Sequence, residues 1–186
     1  YPNKCLRVHF FTDKVDSNYL ATVIKDLQLK KPEESKEYLK LESNYLGFVI
    51  FRPLAIPFVG RTILRVYPEK TGRNRQRHYT CTRKYEVNLA GIPLGVIGLA
   101  FQEQDATIGA CATAAIWCAL HKAAFDAKFR IPTPGEITES ATRYYVGQGR
   151  QFPSTGLTLD QMCEGIRSYG LAPEFLVNRS ERSHVL

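Results

Sequence analysis

Cys111 is the residue of this sequence whose position best suits nucleophilic chemistry. It follows Gly109 and Ala110 at the end of a short polar loop, and an alanine-rich segment from Ala110 to about Phe125 predicts a helix. The first turn of a helix presents unpaired N–H groups and a partial positive charge, and both favour a thiolate. The thiolate is the form of cysteine that attacks a carbonyl carbon. The sequence therefore predicts a reactive thiol at the start of this helix.

Acyl transfer through a thiol also needs hydrogen-bond donors for the oxyanion that forms on the substrate. The backbone N–H of Cys111 is one candidate, and a glutamine side chain from the preceding loop, Gln102 or Gln104, is the second. Cys111 also shares an i, i+3, i+4, i+7 stripe with Ala114, Ala115 and Cys118. This stripe predicts that the thiol points toward the protein, where small alanines would let a histidine from another element come near.

The alternative interpretation of Cys111 is purely structural, because a cysteine in an alanine-rich helix is usually a small buried hydrophobe. The other four cysteines, at positions 5, 81, 118 and 163, form no C-x-x-C pair. Such spacing argues against a zinc ribbon, and the chain is long enough to fold without a disulfide scaffold. We expect reduced thiols in a cytoplasmic protein, with no metal and no cofactor.

The first hundred residues predict a helix and a largely antiparallel sheet. Asp16 or Ser17 caps a helix whose apolar stripe begins at Leu20 and repeats at i, i+3, i+4 and i+7. The strand candidates of this part are Leu6–Phe11, Leu46–Phe51, Arg61–Tyr67, Tyr79–Leu89 and Pro93–Phe101, with a tight turn at Ala90–Gly91 before the last of them. Near the other end of the chain, residues 171–177 also have the composition of a strand.

The part that follows is predicted to be helical. Thr133 and Glu136 have the spacing of a capping box, and so do Thr158 and Gln161, whose helix is predicted to end at Gly170. The expected fold class is therefore α+β. We expect two units: an N-terminal α/β extension with antiparallel strands over residues 1–100, and a helical subdomain carrying the nucleophile over residues 101–186.

Gln104 and Cys111, at the start of a helix and followed by small residues, resemble the papain-like cysteine peptidases. The chain is more similar to the compact relatives of that superfamily, the bacteriocin-processing peptidase domains and the phytochelatin synthases. It differs from them in having Ala112 after the cysteine, where they usually have glycine, and in a spacing from glutamine to cysteine that is one residue longer. The segment from Thr155 to Asp160 resembles their Gly-Leu-Thr segment, so that the resemblance covers roughly residues 101–177.

This resemblance implies a papain-like helical half and a catalytic histidine downstream of the cysteine, followed by an Asp or Asn. His9 and His78 precede Cys111, and His121 lies ten positions along the same helix, about 15 Å away by the helical rise. His184 follows the cysteine but lies in a charged stretch. We expect the histidine to lie beyond Leu186 in a longer protein, with His184 as the alternative. The implied reaction is cleavage of a peptide, isopeptide or γ-glutamyl-type bond in a peptide or protein substrate.

Two other functions compete with the hydrolase. A catalytically inactive interaction protein on the same fold would use the segment from Tyr45 to Pro53 and the segment Gly60–Thr62 that follows. Plain sheet core with a turn at Pro57–Gly60 explains these residues better. A net charge of +7 invites nucleic-acid binding through the solvated loop predicted over Lys70–His78, but no base-stacking aromatics are interleaved with its charges. The sequence has no apolar run of the roughly 20 residues that a membrane-spanning helix needs.

Overall fold

The fold is α+β, as predicted. The computed structural model describes residues 4–54, 58–68, 70–71, 75–103, 110–144 and 156–176. In chain order its elements are β1 (Leu6–Phe11), α1 (Ser17–Leu29), a short 3-10 helix (Pro32–Glu34), α2 (Lys36–Asn44), β2 (Tyr45–Phe51), β3 (Val59–Arg65), β4 (Lys70–Thr71), β5 (Arg75–Gln76), β6 (Arg83–Leu89), β7 (Ile92–Phe101), α3 (Cys111–Ala127), α4 (Pro134–Thr142) and α5 (Leu159–Arg167).

Five strands form one curled antiparallel sheet in the order β1-β2-β3-β7-β6. The hairpin between β6 and β7 turns at Ala90 and Gly91, whose φ angles of 50° and 91° lie in the left-handed region. The Asn88 side chain accepts a hydrogen bond of 2.9 Å from the Gly91 N–H. Two successive left-handed residues match the twist of antiparallel strands, and the predicted tight turn is confirmed.

The two faces of this sheet differ in what covers them. The inner face carries Ile63, Tyr85, Val96 and Ala100, all buried, and α3 packs on this side. The outer face keeps large apolar side chains exposed on three of the five strands, β1, β3 and β7. These side chains are Leu6, Phe10, Leu64, Ile97, Leu99 and Phe101.

One hydrophobic core includes residues from both predicted units. Val23 of α1 and Leu41 of α2 are fully buried, and Trp117 and Leu120 of α3 belong to the same cluster. The proposed boundary at residue 100 falls one residue before the end of β7. The division of the chain into residues 1–100 and 101–186 stays a prediction.

Three helices begin at the capping residues that the sequence predicts. The Asp16 carboxylate caps α1 by accepting a hydrogen bond of 2.9 Å from the Tyr19 N–H. Thr133 and Thr158 each form a complete capping box at the start of α4 and α5. A side-chain oxygen at this position satisfies an N–H group that the helix leaves unpaired, and all three caps are confirmed.

Three local predictions were wrong. Residues 171–176 form no strand, because an extended segment becomes one only through ladder hydrogen bonds, and Val177 lies outside the described residues. The segment Lys70–His78 is not entirely a loop, because Lys70–Thr71 pairs with Arg75–Gln76 as two short strands. Backbone hydrogen bonds form this pairing, and they do not require the alternating apolar residues by which strands are predicted. Leu159 shares an apolar i, i+3, i+4, i+7 pattern with Met162, Cys163 and Ile166, which predicts that it is buried. It is instead exposed, because the buried residues of α5 begin only at Gln161.

None of the helices in the described ranges combines the length and the apolar character that crossing a membrane requires.

Candidate active site

Cys111 is the first residue of α3, a helix of 17 residues. The preceding Ala110 accepts the first helical hydrogen bond, of 2.8 Å, from the Ala114 N–H. Ala110 has no side chain that could cap the helix, and the first turn contains no acidic residue. The unpaired N–H groups of this turn, including that of Cys111, form the positive end of the helix dipole. No carboxylate within the turn neutralises this partial charge.

The Cys111 side chain is exposed, so the prediction that it points into the protein was wrong. The predicted stripe has the wrong phase, because Ala115 is also exposed and only Ala114 of the stripe is buried. The face of α3 that packs against the sheet and α4 is rotated about the helix axis from the predicted stripe. Its buried members are Thr113, Ala114, Ile116, Trp117, Leu120, His121 and Ala124.

Aromatic and polar contacts two to three turns further along hold α3 against the sheet. The His121 ring is fully buried and shares a hydrogen bond of 3.2 Å with the hydroxyl of Tyr85 on β6. The Trp117 ring meets the His121 ring edge-on, with 4.3 Å between centroids. Near the helix start, the hydroxyls of Thr113 and Thr138 lie 3.4 Å apart and connect α3 to α4.

His121 is unsuited to act as a base for Cys111. Burial lowers its pKa to about 4, and the positive charges of Arg61 and Arg83 add to this shift. Its Nε2 atom is buried without a hydrogen-bond partner in the described structure. The sequence-based argument from helical rise and the environment of the ring agree that His121 is structural.

The structure describes one of the two candidate oxyanion glutamines. Gln104 lies in 104–109, outside the described residues. Gln102 follows β7 and borders a groove of about 340 Å³ together with Arg61, Trp117 and Thr133. Its neighbour Glu103 fixes the chain direction here, since its backbone N–H donates to the Val59 carbonyl at 3.1 Å and its carboxylate accepts from the Val59 N–H at 2.8 Å.

The other histidines do not complete the site within the described structure. The His9 ring on β1 is hydrogen-bonded to the Tyr45 hydroxyl at 3.0 Å, and burial followed by the nearby Arg7 charge lowers its pKa. His78 is exposed in the segment between β5 and β6. His184 lies outside the described ranges. The structure thus presents the predicted nucleophile without describing its base.

The remaining cysteines have distinct environments. Cys5 is exposed like Cys111, Cys81 and Cys118 are half-buried, and Cys163 is buried. Burial raises the pKa of the Cys118 thiol, which disfavours its thiolate. No group of three or more His, Cys, Asp or Glu side chains suited to a metal ion occurs among the residues described.

A cluster of three arginines on the inner face of the sheet, formed by Arg7, Arg61 and Arg83, was not predicted from the sequence. Arg83 and Tyr85 are two residues apart on β6, so strand alternation puts both side chains on this face. The sequence does contain one indication of this cluster, which is a charged residue at an inward position of three different strands. Predicting that the three residues lie together requires the order of the strands in the sheet.

The sequence matches no protein-family model, and neither curated proteins nor solved structures include a significant match to it.

Proposed function

We propose that this chain carries the nucleophile-bearing half of a papain-like cysteine hydrolase. The observation that supports the proposal most strongly is the position of Cys111, exposed at the first residue of a 17-residue helix whose start has no capping side chain. Exposure gives a carbonyl substrate access to the sulfur. The helix end favours the negative charge of a thiolate. The succession of α3, α4 and α5 after Cys111 also agrees with a helical half of this kind.

In the proposed reaction the Cys111 sulfur bonds to the carbonyl carbon of a peptide, isopeptide or γ-glutamyl-type bond. The oxyanion accepts hydrogen bonds from the Cys111 N–H and from the Gln104 side chain, with Gln102 as the alternative. A histidine takes the thiol proton and delivers it to the leaving amine, and water then hydrolyses the thioester. The base is His184 or a histidine beyond Leu186.

A cytoplasmic location belongs to the same proposal. All five cysteines are free, although Cys81, Cys111 and Cys5 are at least partly accessible to an oxidant. Free thiols persist in a reducing compartment. A peptide or protein is the proposed substrate.

The test compares Cys111 with Cys5, because both thiols are exposed but only Cys111 opens a helix. A limiting amount of iodoacetamide is added, and the labelled positions are mapped by mass spectrometry over time. A helix dipole contribution of about 0.3 to 1 kcal/mol predicts that Cys111 reacts about two to five times faster than Cys5. Cys81, Cys118 and Cys163 should follow.

A second candidate, an inactive interaction protein on the same fold, is supported by the exposed apolar side chains on the outer face of the sheet. The segment first considered for this role is less suited to it, because Tyr45 and Phe48 are buried. An interaction protein needs no activated thiol. Labelling of Cys111 at the rate of Cys5, or more slowly, would therefore favour this candidate over the hydrolase. Nucleic-acid binding through the basic segment stays an untested prediction.

A further inference from the structure

The inner face of the sheet has a groove of about 470 Å³ that collects positive charge. Arg7 lies on β1, Arg61 on β3 and Arg83 on β6, which are alternate strands in the order β1-β2-β3-β7-β6. Neighbouring strands are about 4.8 Å apart, so the backbones of alternate strands are separated by about 10 Å, and long side chains can reach across a curled sheet. The volume is in the range of small-molecule sites.

The three guanidinium groups are held by aromatic rings instead of carboxylates. Arg7 lies 5.0 Å from the Phe48 ring centroid, and Arg83 lies 4.0 Å from that of Tyr85. Arg83 is also 5.0 Å from the Phe125 centroid, and Arg61 is 5.7 Å from that of Trp117. A contact with a ring face positions a guanidinium and leaves its N–H donors free for an anion.

No carboxylate neutralises these charges in the part of the chain that the structure describes. None of the three arginines forms an ion pair there, although Glu86 and Lys84 also border the groove on β6. The pKa of Arg61 is lowered, first by desolvation and then by the like charges of Arg83 and Arg7, with Tyr85 opposing them. Like charges kept together without a counter-ion destabilise a fold, so their arrangement calls for an anion.

Two buried nitrogen atoms point to the same conclusion. Arg83 Nε and His121 Nε2 are both buried, and neither has a hydrogen-bond partner in the described structure. Unpaired buried polar atoms are uncommon in folded proteins and often mark a place that a ligand or water completes. His121 lies close enough to Arg61 and Arg83 for their charges to lower its pKa, which places its ring in the same positive region.

We propose that the groove bounded by Arg7, Arg61 and Arg83 is a binding site for a small organic polyanion with phosphate or carboxylate groups. Both groups match the planar, bidentate donor geometry of arginine. Three separate cations suit a ligand with more than one anionic group, and the Phe48, Tyr85 and Phe125 rings provide apolar walls. The proposal concerns a site distinct from Cys111 and does not depend on thiol chemistry.

Pyrophosphate and citrate serve as the phosphate and carboxylate probes, titrated into the full chain by calorimetry at constant ionic strength. At least one should bind saturably, and the stronger of the two identifies the preferred anionic group. Arg61→Gln should weaken that binding about tenfold or more, because it removes charge-assisted hydrogen bonds. Arg143→Gln is the matched control, because Arg143 is exposed and lies at the end of α4 instead of in the groove. This substitution should leave binding within about twofold of wild type.

Arg7→Gln provides a second variant in case Arg61→Gln does not fold, because Arg7 is exposed and its loss should be tolerated. It too should weaken binding about tenfold. Absence of saturable binding of both probes at millimolar concentration would overturn the proposal. Equal weakening by Arg7→Gln and Arg143→Gln would also overturn it, since it would show a general response to net charge.

Discussion

The buried His121 ring makes the stability of this protein depend on pH in a direction that can be worked out. Burial, followed by the charges of Arg61 and Arg83, lowers its pKa from 6.5 to about 4 in the folded protein. The unfolded chain therefore binds a proton at this residue at a higher pH than the folded chain does. The stabilising contribution is complete above the unfolded value and is lost as the pH falls through 6.5 toward 4.

The size of this effect follows from the shift. A pKa change from 6.5 to about 4 corresponds to about 3 kcal/mol in full, of which about 2 kcal/mol is lost between about pH 7 and about pH 5. The variant His121→Gln removes the titration and keeps a polar group beside the Tyr85 hydroxyl. We expect its free energy of unfolding to fall by about 2 kcal/mol less than that of wild type over the same pH interval.

Urea unfolding at the two pH values measures this difference. Trp117 is the only tryptophan of the chain and contacts the His121 ring, so its fluorescence reports on the same interface. His78→Gln is the matched control, because His78 is exposed, and it should lose as much stability as wild type. If His121→Gln and wild type lose equal stability on acidification, the assignment of a neutral buried ring to His121 is refuted.

Three substitutions test the packing of α3, the cap of α4 and the close approach of β3 and β7, each by urea unfolding. Trp117→Ala should lower the free energy of unfolding by about 3 to 5 kcal/mol, because the ring is 3% exposed, and Phe175→Ala, at an exposed site, should change it by less than about 0.5 kcal/mol. Thr133→Ala should cost about 1 kcal/mol through loss of the capping box, and no change would mean that the cap is not formed. Gly98→Ala should cost about 1 to 3 kcal/mol, since an added Cβ would lie 2.3 Å from a backbone oxygen of the next strand. Gly135→Ala should be neutral or stabilising, because its added Cβ would make only an ordinary contact of 3.9 Å with the Thr133 Oγ1.

Features that depend on neighbours in sequence were predictable. The caps at Asp16, Thr133 and Thr158 are local, because the side chain and the N–H that it satisfies are three residues apart. The turn at Ala90 and Gly91 is equally local. The start of α3 at Cys111 was also predictable to within one residue, because a polar loop gives way there to an alanine-rich segment.

Features that depend on the pairing of distant elements were not predictable. The hydrogen bond between Tyr85 and His121 joins residues 36 positions apart. The arginine cluster requires the strand order, because Arg7 and Arg83 come together only through three intervening strands. The outward direction of Cys111 also escaped the sequence, since several phases of an alanine-rich helix are apolar enough to face the core.

The measurement that tests the proposed nucleophile most directly is acyl transfer from an activated ester. Because the helix end favours the Cys111 thiolate wherever the base lies, p-nitrophenyl acetate should acetylate Cys111 before the other thiols and release one equivalent of p-nitrophenol in an initial burst. Peptide mapping should place this first acetyl group on Cys111. Cys111→Ala should abolish the burst, whereas Cys5→Ala, which removes the other exposed thiol, should retain it. A burst that persists in Cys111→Ala, or an acetyl group found on Cys5 instead, would contradict the assignment of Cys111 as the nucleophile.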